Sequence, residues 1–398
     1  MSLKVFNDLA DNASVACIPE SGNFKAAGNN YFSKRDPFSY ETDRLIIADG
    51  CGFDIFNGEA WRQVVNRGEI DVLATSLLDT GAFAVGTDYY LYLCIDANDN
   101  PLFSISANAT FPAGYAAHNS RKVGGFHFGH IRCVASDGSW APIDSNGVKF
   151  GATGTKWENN IVTGIIPNSV WDLKNRPQCA PEGMVKVGKK WVDIYLSSAA
   201  EPIESEGSSG SHVKRGKLQS KYGQLPATGT EGLNWYGFSE LAALCGKELL
   251  SYADWCAAAR GNPQGEDGAD NYGWTKTSNG SRARTGCRVN ASTGLFDPAG
   301  IKPYAISAFN CVDCVGNVYE WLDELVSRTA SNPAWAWQDV LGAGKGKAYM
   351  ESSNQLVALR AGGNWYEGAN CGSRCVNLYY SPWNVDSING VRLACDAA

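Results

Sequence analysis

No run of apolar residues in this 398-residue chain approaches membrane-span length, and the opening residues lack the pattern of a signal peptide. Neither membrane insertion nor export by a cleaved leader is expected. Basic charge is in deficit: 34 Lys and Arg face 41 Asp and Glu, for a formal net charge of −7. No basic stripe offsets this, which argues against a nucleic-acid partner. Methionine occurs three times and histidine four, at His118, His127, His130 and His212. Only His127, His130 and Cys133 have a loosely ligand-like spacing, and a packed origin is the simpler account of it. Cys311-Val312-Asp313-Cys314 is a lone C-x-x-C without a second pair. The thirteen cysteines are odd in number and scattered. Without an export signal they are read as mostly reduced and packed.

Tyr, Trp, Gly and Asn are plentiful, which suits a β-rich, loop-rich chain with a binding surface. Residues 358–395 concentrate that composition. Asn364, Tyr366, Gly368 and Asn370 fall two apart, as do Asn377 and Tyr379, and then Asn384, Asp386 and Ile388. In an extended segment such residues share one side. The residues between them include Trp365, Ala369, Leu378 and Val385, which suit packing. A face of Tyr, Asn and Gly resembles an antibody paratope in kind: rigid amphipathic rings with adaptable hydrogen bonding. Composition by itself favours a plainer account, in which Asn and Gly mark turns and Tyr marks strands. A further regularity supports the face. At eleven positions (Asn364, Tyr366, Gly368, Asn370, Asn377, Tyr379, Tyr380, Asn384, Asp386, Ile388 and Asn389) every residue is reachable from an Asn codon by replacing adenines. Lys, Glu, Gln, Met and Trp, which that route cannot reach, are absent there.

The length favours two or three domains. Residues 1–44 have no strong period and are read as an N-terminal β-element, or an arm for attachment or trimerisation. Short strands bounded by turn signals recur over 45–168, clearest at 44–48, 86–94 and 122–128, and suggest a β-sandwich spacer. A third unit is expected over 169–398. In it, residues 198–230, rich in Ser, Gly, Glu and Lys, read as a long surface loop. A helix is expected at about 234–245. A second starts at Ser251, an N-cap with Asp254 at the third helical position, and stops at Gly261. Glu266, Asp267 and Asp270 group hard oxygen ligands and could hold a structural Ca²⁺, although a solvated acidic loop explains them more simply. The fold class is therefore α+β and mostly β.

Three signatures lie in order along the third unit: Gly246 to Trp255 with Ala257 to Gly261, Gly316 to Trp321, and Arg360 to Trp365 with Gly390 to Leu393. Together they resemble the formylglycine-generating-enzyme branch of the C-type lectin fold. From about residue 86 onward the chain is more specifically similar to the major tropism determinant family, receptor-binding proteins of tropism-switching bacteriophage. The matching pieces include Gly86 to Cys94, Arg121 to Phe128, Ser169 to Leu173, Gly183 to Leu196 and Gly362 to Asp396. The eleven positions coincide with those that vary in that family, where a diversity-generating retroelement copies a template with errors at adenines.

The resemblance implies a C-terminal C-type lectin-like domain whose eleven variable positions bind ligand, on a scaffold set by Trp365, Arg374, Trp383 and Arg392. Leu378, Val391 and Leu393 complete the expected packing set. It also implies a virion protein at a tail-fibre tip, a homotrimer, and a protein or glycan receptor on a bacterial surface. A retroelement-diversified display protein of bacterial origin is the alternative owner of the same fold. An enzyme is not expected: Cys371 and Cys375 do not fall where the oxidase branch places its cysteine pair. No cofactor is expected. A calcium-dependent sugar lectin is disfavoured as well, because Trp383-Asn384-Val385-Asp386 only approximates its ligand motif.

Overall fold

The computed structural model describes residues 3–6, 32–34, 44–132, 161–205, 213–262, 281–286, 288–289, 296–297, 306–328, 336–339, 347–350 and 355–398. The chain divides into two compact units, one of Met1–His130 with Val162–Arg176 and Ala398, the other of Ile131–Ile161 with Pro177–Ala397. Each has its own core.

The first unit contains strands β1 (Leu3–Phe6), β2 (Phe32–Lys34), β3 (Arg44–Ile47), β4 (Gly52–Phe56), β5 (Trp61–Asn66), β6 (Ile70–Leu73), β7 (Thr87–Ile95), β8 (Pro101–Ser106), β9 (Ser120–Arg132), β10 (Ile161–Ile165) and β11 (Trp171–Asp172). β7 is buried on both faces from Tyr89 onward, which is why it reads as an unbroken aromatic and apolar run rather than an alternation. It lies inside the sheet β10-β9-β7-β8. Asp96 closes the β7–β8 turn by accepting the Asn98 and Asn100 N–H groups, each at 2.8 Å. Two three-stranded sheets, β1-β5-β4 and β2-β3-β6, complete a β-sandwich. Its core joins Leu45, Ile47, Phe53 and Ile55 to Leu91, Leu93, Phe103 and Phe126.

Two boundaries differ from the sequence reading. β1 pairs with β5 and β2 with β3, so the described parts of residues 1–44 are strands of this unit's sheets. Trp171 and Asp172 pair with Gly125 and Gly124 of β9, so residues expected to open the next domain close this one. His127 is buried with Nδ1 2.8 Å from Asp88 Oδ1, a packed pair, while Cys133 lies outside the described residues.

In the second unit a four-stranded sheet runs β12 (Met184–Val187), β13 (Lys190–Asp193), β25 (Leu393–Asp396), β16 (Glu248–Leu249). A six-stranded sheet runs β20 (Ala336–Asp339), β21 (Lys347–Met350), β23 (Gly372–Asn377), β22 (Gln355–Gly362), β19 (Tyr319–Arg328), β24 (Asn389–Gly390). A small pair joins β17 (Arg288–Val289) to β18 (Phe296–Asp297). Helix α1 (Trp235–Leu244) is capped by Asn234, whose side chain accepts the Gly237 N–H. Helix α2 (Tyr252–Ala258) is capped by Ser251, which accepts the Asp254 N–H at 3.1 Å.

Residues 198–230 are not a loop throughout. β14 (Ser197–Ser205) and β15 (Val213–Ser220) form an antiparallel hairpin. Its solvent face carries the Ser, Glu and Lys that hid the strands, and register shifts after Ala199 and Glu201 break the alternation. Leu218, with Ile203 and Val213 beside it, packs on the core that contains Phe238 and Leu241 of α1.

Candidate functional site

The stretch 364–389 is mostly turn and loop. Beyond the short strands β23 and β24 it contains a 3₁₀ turn at Gly368–Asn370. The two-residue period therefore does not sort side chains into one inward and one outward row, and the eleven positions fall into two sets. Tyr366, Tyr379 and Asn384 are exposed, and Gly368, Asn370, Tyr380 and Asp386 are partly exposed. Asn364, Asn377, Ile388 and Asn389 are buried.

Asn364 and Asn377 of the buried set share a mechanical role with the partly exposed Asp386. Asn364 Oδ1 accepts the Tyr366 N–H and Asn377 Oδ1 accepts the Tyr379 N–H, both at 2.9 Å. Asp386 Oδ1 accepts the Ile388 N–H at 3.2 Å. Each is a side-chain turn that closes over two residues. The two Asn-x-Tyr units thus bury the amide and project the tyrosine: Tyr366 is 57% exposed and Tyr379 43%. Ile388 packs with Leu196, Tyr319, Trp365 and Cys375.

Beneath the face, Arg360 of β22 ties the pieces together. Its guanidinium lies 4.2 Å from the Tyr319 ring centre and 3.8 Å from that of Tyr380. It donates to Asn389 Oδ1 at 2.5 Å, while Asn377 Nδ2 donates to the Tyr319 hydroxyl at 3.2 Å. The Tyr380 hydroxyl donates to Asp386 Oδ2 at 2.5 Å. Burial, and that bond to Asp386, push the Tyr380 phenol above its ordinary range. Burial likewise raises the Glu367 carboxyl, which sits beside Tyr319.

The backbone entering the face depends on two glycines. Gly362 and Gly363 have φ of +90° and +86°. A Cβ at Gly363 would come within 2.4 Å of Cys371 Sγ, and one at Gly362 within 2.5 Å of the Cys314 carbonyl oxygen. On the opposite flank a capping box at Thr228 and Glu231 holds the turn that donates from Gly229 N–H to the Asp386 carbonyl at 3.0 Å. Arg282 clamps Glu231 from outside with donors at 2.7 and 2.9 Å.

The scaffold residues divide as well. Trp365 is buried, and Arg392 is buried at the centre of the unit. Arg392 donates to both carboxylate oxygens of Glu320 and to the carbonyls of Asp193, Ile194 and Val312. Trp383, expected in the packing set, is 54% exposed, because its loop is held by the backbone (Pro382 carbonyl to Trp235 N–H) and its ring only leans on Tyr236. It belongs to the outer face. Val385, placed on the packing side, is 37% exposed for the same reason. The Arg374 side chain is exposed, and its carbonyl accepts the Tyr252 hydroxyl.

Sequence reasoning overlooked part of the surface. Trp337 and Tyr349 extend the tyrosines into a strip: ring centres are 5.1 Å apart for Trp337–Tyr349, 6.2 Å for Tyr349–Tyr379 and 5.1 Å for Tyr379–Tyr380. The alternation Ala334-Trp335-Ala336-Trp337 was the available signal. Glu266, Asp267 and Asp270 lie outside the described residues. Among the described residues no group of three or more His, Cys, Asp or Glu is placed to hold a metal. Cys371 and Cys375 are both buried, and burial drives the Cys371 thiol well above its ordinary range.

A mostly β unit presenting turns pinned from below, on a six-stranded sheet, has the C-type lectin fold. Residues 38–172 match the family described as Mtd second domain. Over 338 residues the chain is 26% identical to the tail fiber receptor-binding protein of Bordetella phage BPP-1, covering 83% of this chain and 77% of that protein. The structure is similar to the U1 variant of the Major Tropism Determinant, with a TM-score of 0.60 at 24% identity over 92% of this chain and 83% of that one. The M1 variant gives 0.59 at 23%, over 92% and 86%. In sequence and in fold, then, the chain is similar to the Major Tropism Determinant.

Proposed function

We propose that this chain is a phage or prophage tail-fibre receptor-binding protein, carried on the virion, whose lectin-fold face contacts a molecule on a bacterial surface. One observation carries the reading. Tyr366, Tyr379 and Trp383 stand out from loops whose neighbours are buried and hydrogen-bonded, so rigid aromatic contact area is offered at low entropic cost. Similarity to a tail fiber receptor-binding protein over most of the chain supports the same role. The work of the site is binding rather than catalysis, since Cys371 and Cys375 are buried and Cys371 is held protonated.

The contact set is Tyr366, Gly368, Asn370, Tyr379, Tyr380, Asn384, Asp386 and Trp383. Asn364, Asn377, Ile388 and Asn389 shape it from beneath. Diversification by a retroelement and assembly as a homotrimer belong to this reading, and several copies on one particle would turn modest affinity into avidity. The test is adsorption of the labelled full chain to a panel of bacterial strains. Strain-restricted binding that Tyr366→Ala with Tyr379→Ala removes, at unchanged melting temperature, is expected. Uniform adsorption to all strains, or binding indifferent to those substitutions, would overturn it.

A further inference from the structure

Cys179 and Cys395 lie 216 positions apart in the chain, yet their sulfur atoms are 3.0 Å apart. The backbone accounts for this approach. Pro177 bridges Ala397 in antiparallel fashion, and the Gln178 N–H donates to the Asp396 carbonyl at 3.0 Å. Continuing that register one step sets Cys179 directly opposite Cys395. Because the pair before it is hydrogen-bonded, this one is of the non-hydrogen-bonded kind, in which side chains stand closest. Two cysteines so placed need a closure of only about 1 Å to reach a disulfide length of about 2.05 Å.

The surroundings favour the chemistry. Cys395 is buried on β25, while Cys179 is partly exposed and open to a small thiol reagent. Lys247, itself paired with Asp193 at 2.5 Å, adds positive charge near both sulfurs. Either sulfur can be the donor in their hydrogen bond, so the pair shares a proton beside that lysine and a thiolate is available within it.

We propose that Cys179 and Cys395 are a redox staple, reduced where the protein is made and closed by a disulfide oxidant such as glutathione disulfide. In the first step Cys179 passes its proton to Cys395 and its thiolate attacks one sulfur of glutathione disulfide. A mixed disulfide forms on Cys179, and one glutathione thiolate leaves, taking up a proton. Cys395, deprotonated again, attacks the Cys179 sulfur and expels the second glutathione, which is also protonated. Two protein thiols lose two electrons in all, and one glutathione disulfide becomes two glutathione thiols. The new bond ties β25 to the segment that enters the second unit. β25 follows directly on Asn389 and Arg392, so the staple holds the foundation of the binding face in place.

The experiment treats the full chain with dithiothreitol or with glutathione disulfide, followed by intact-mass measurement, peptide mapping and thermal unfolding. Closure is expected to remove two hydrogen atoms, to yield one linked peptide containing Cys179 and Cys395, and to raise the melting temperature by roughly 5–10 °C. Cys395→Ser is expected to trap one glutathione on Cys179 and to abolish the rise. Unchanged mass in the wild type, a link between Cys311 and Cys314 alone, or a retained glutathione adduct without closure would each overturn the assignment. Those readings are taken on the wild-type chain, so they stand even if a variant fails to fold.

Discussion

Tyr379 and Tyr380 are neighbours in sequence and identical in chemistry, yet their substitutions are predicted to act oppositely. Tyr379 is 43% exposed and touches mainly other rings at the surface. Replacing it by Ala removes edge contacts worth about 0.5–1 kcal/mol in total. Tyr380 is partly buried, lies over the Arg360 guanidinium, packs beside Trp321 and donates to Asp386. The hydrogen bond to a carboxylate contributes about 1.5–3 kcal/mol, and the cation–ring contact about 0.5–2 kcal/mol. These overlap, because removing the ring also frees Asp386 and Arg360 to meet water. A net loss of about 3–4 kcal/mol is expected for Tyr380→Ala, in line with truncation of a large packed ring. For a domain of this size that is a fall in melting temperature of roughly 10 °C, against about 2 °C for Tyr379→Ala. Circular dichroism melts of the two variants and of Tyr380→Phe, which deletes only the hydroxyl, read the difference directly. Adsorption to a responsive strain gives the second axis: Tyr379→Ala is expected to lose binding and keep its fold. Equal melting temperatures for the two Ala variants would show that Tyr380 does not also anchor the face to the sheet beneath it.

The other predictions concern the buried acid and the gene. The Asp313 carboxyl is pushed up to about 6, chiefly by burial, against the Gly286 N–H that it accepts and the charge of Arg392. Its folded value lies above the ordinary 3.8, so the contribution to stability is fully present below about pH 4 and is lost as pH rises through 6. Asp313→Asn should therefore gain on the wild type by up to about 3 kcal/mol between pH 4 and pH 7, measured by denaturant unfolding at each pH. A gap that does not change with pH would refute this. In the encoding DNA, the eleven codons should end in C or T and face a near-identical repeat beside a reverse-transcriptase gene. Mixed third bases and no repeat would mean a fixed face.

Much of the architecture was legible because burial leaves strong marks. The continuous apolar run of β7 and the Ser251 cap are local signals that tertiary structure does not override. What failed shares one cause: solvent-facing or irregular backbone, where periodicity carries little information. The β14–β15 hairpin exposes Ser, Glu and Lys and so resembled a loop. The face between Asn364 and Asn389 was treated as extended, whereas its course is set by side-chain turns that use the same Asn residues the pattern assigned to a ligand. The plainer account, in which Asn marks turns, describes Asn364 and Asn377, while Tyr366 and Tyr379 are exposed, as a paratope would require. The resemblance puts Trp383 in the packing set, whereas the backbone already secures its loop and the ring stays outside.

The position of residues 389–396 has a consequence for biosynthesis. β24 runs parallel beside β19, Arg392 reaches carbonyls some two hundred residues earlier in the chain, and β25 lies between β13 and β16 rather than at an edge. A nascent chain that has not yet delivered this segment has open strand edges on β13, β16 and β19 and an unfilled centre. Its earlier parts cannot close on their own, and such exposed edges attract other chains. The domain therefore cannot complete its fold until this segment is available, and that step depends on very long-range contacts and is slow for that reason. A stop codon or frameshift ahead of Arg392 would leave the cell with a substrate for chaperones and proteases, and with no domain at all.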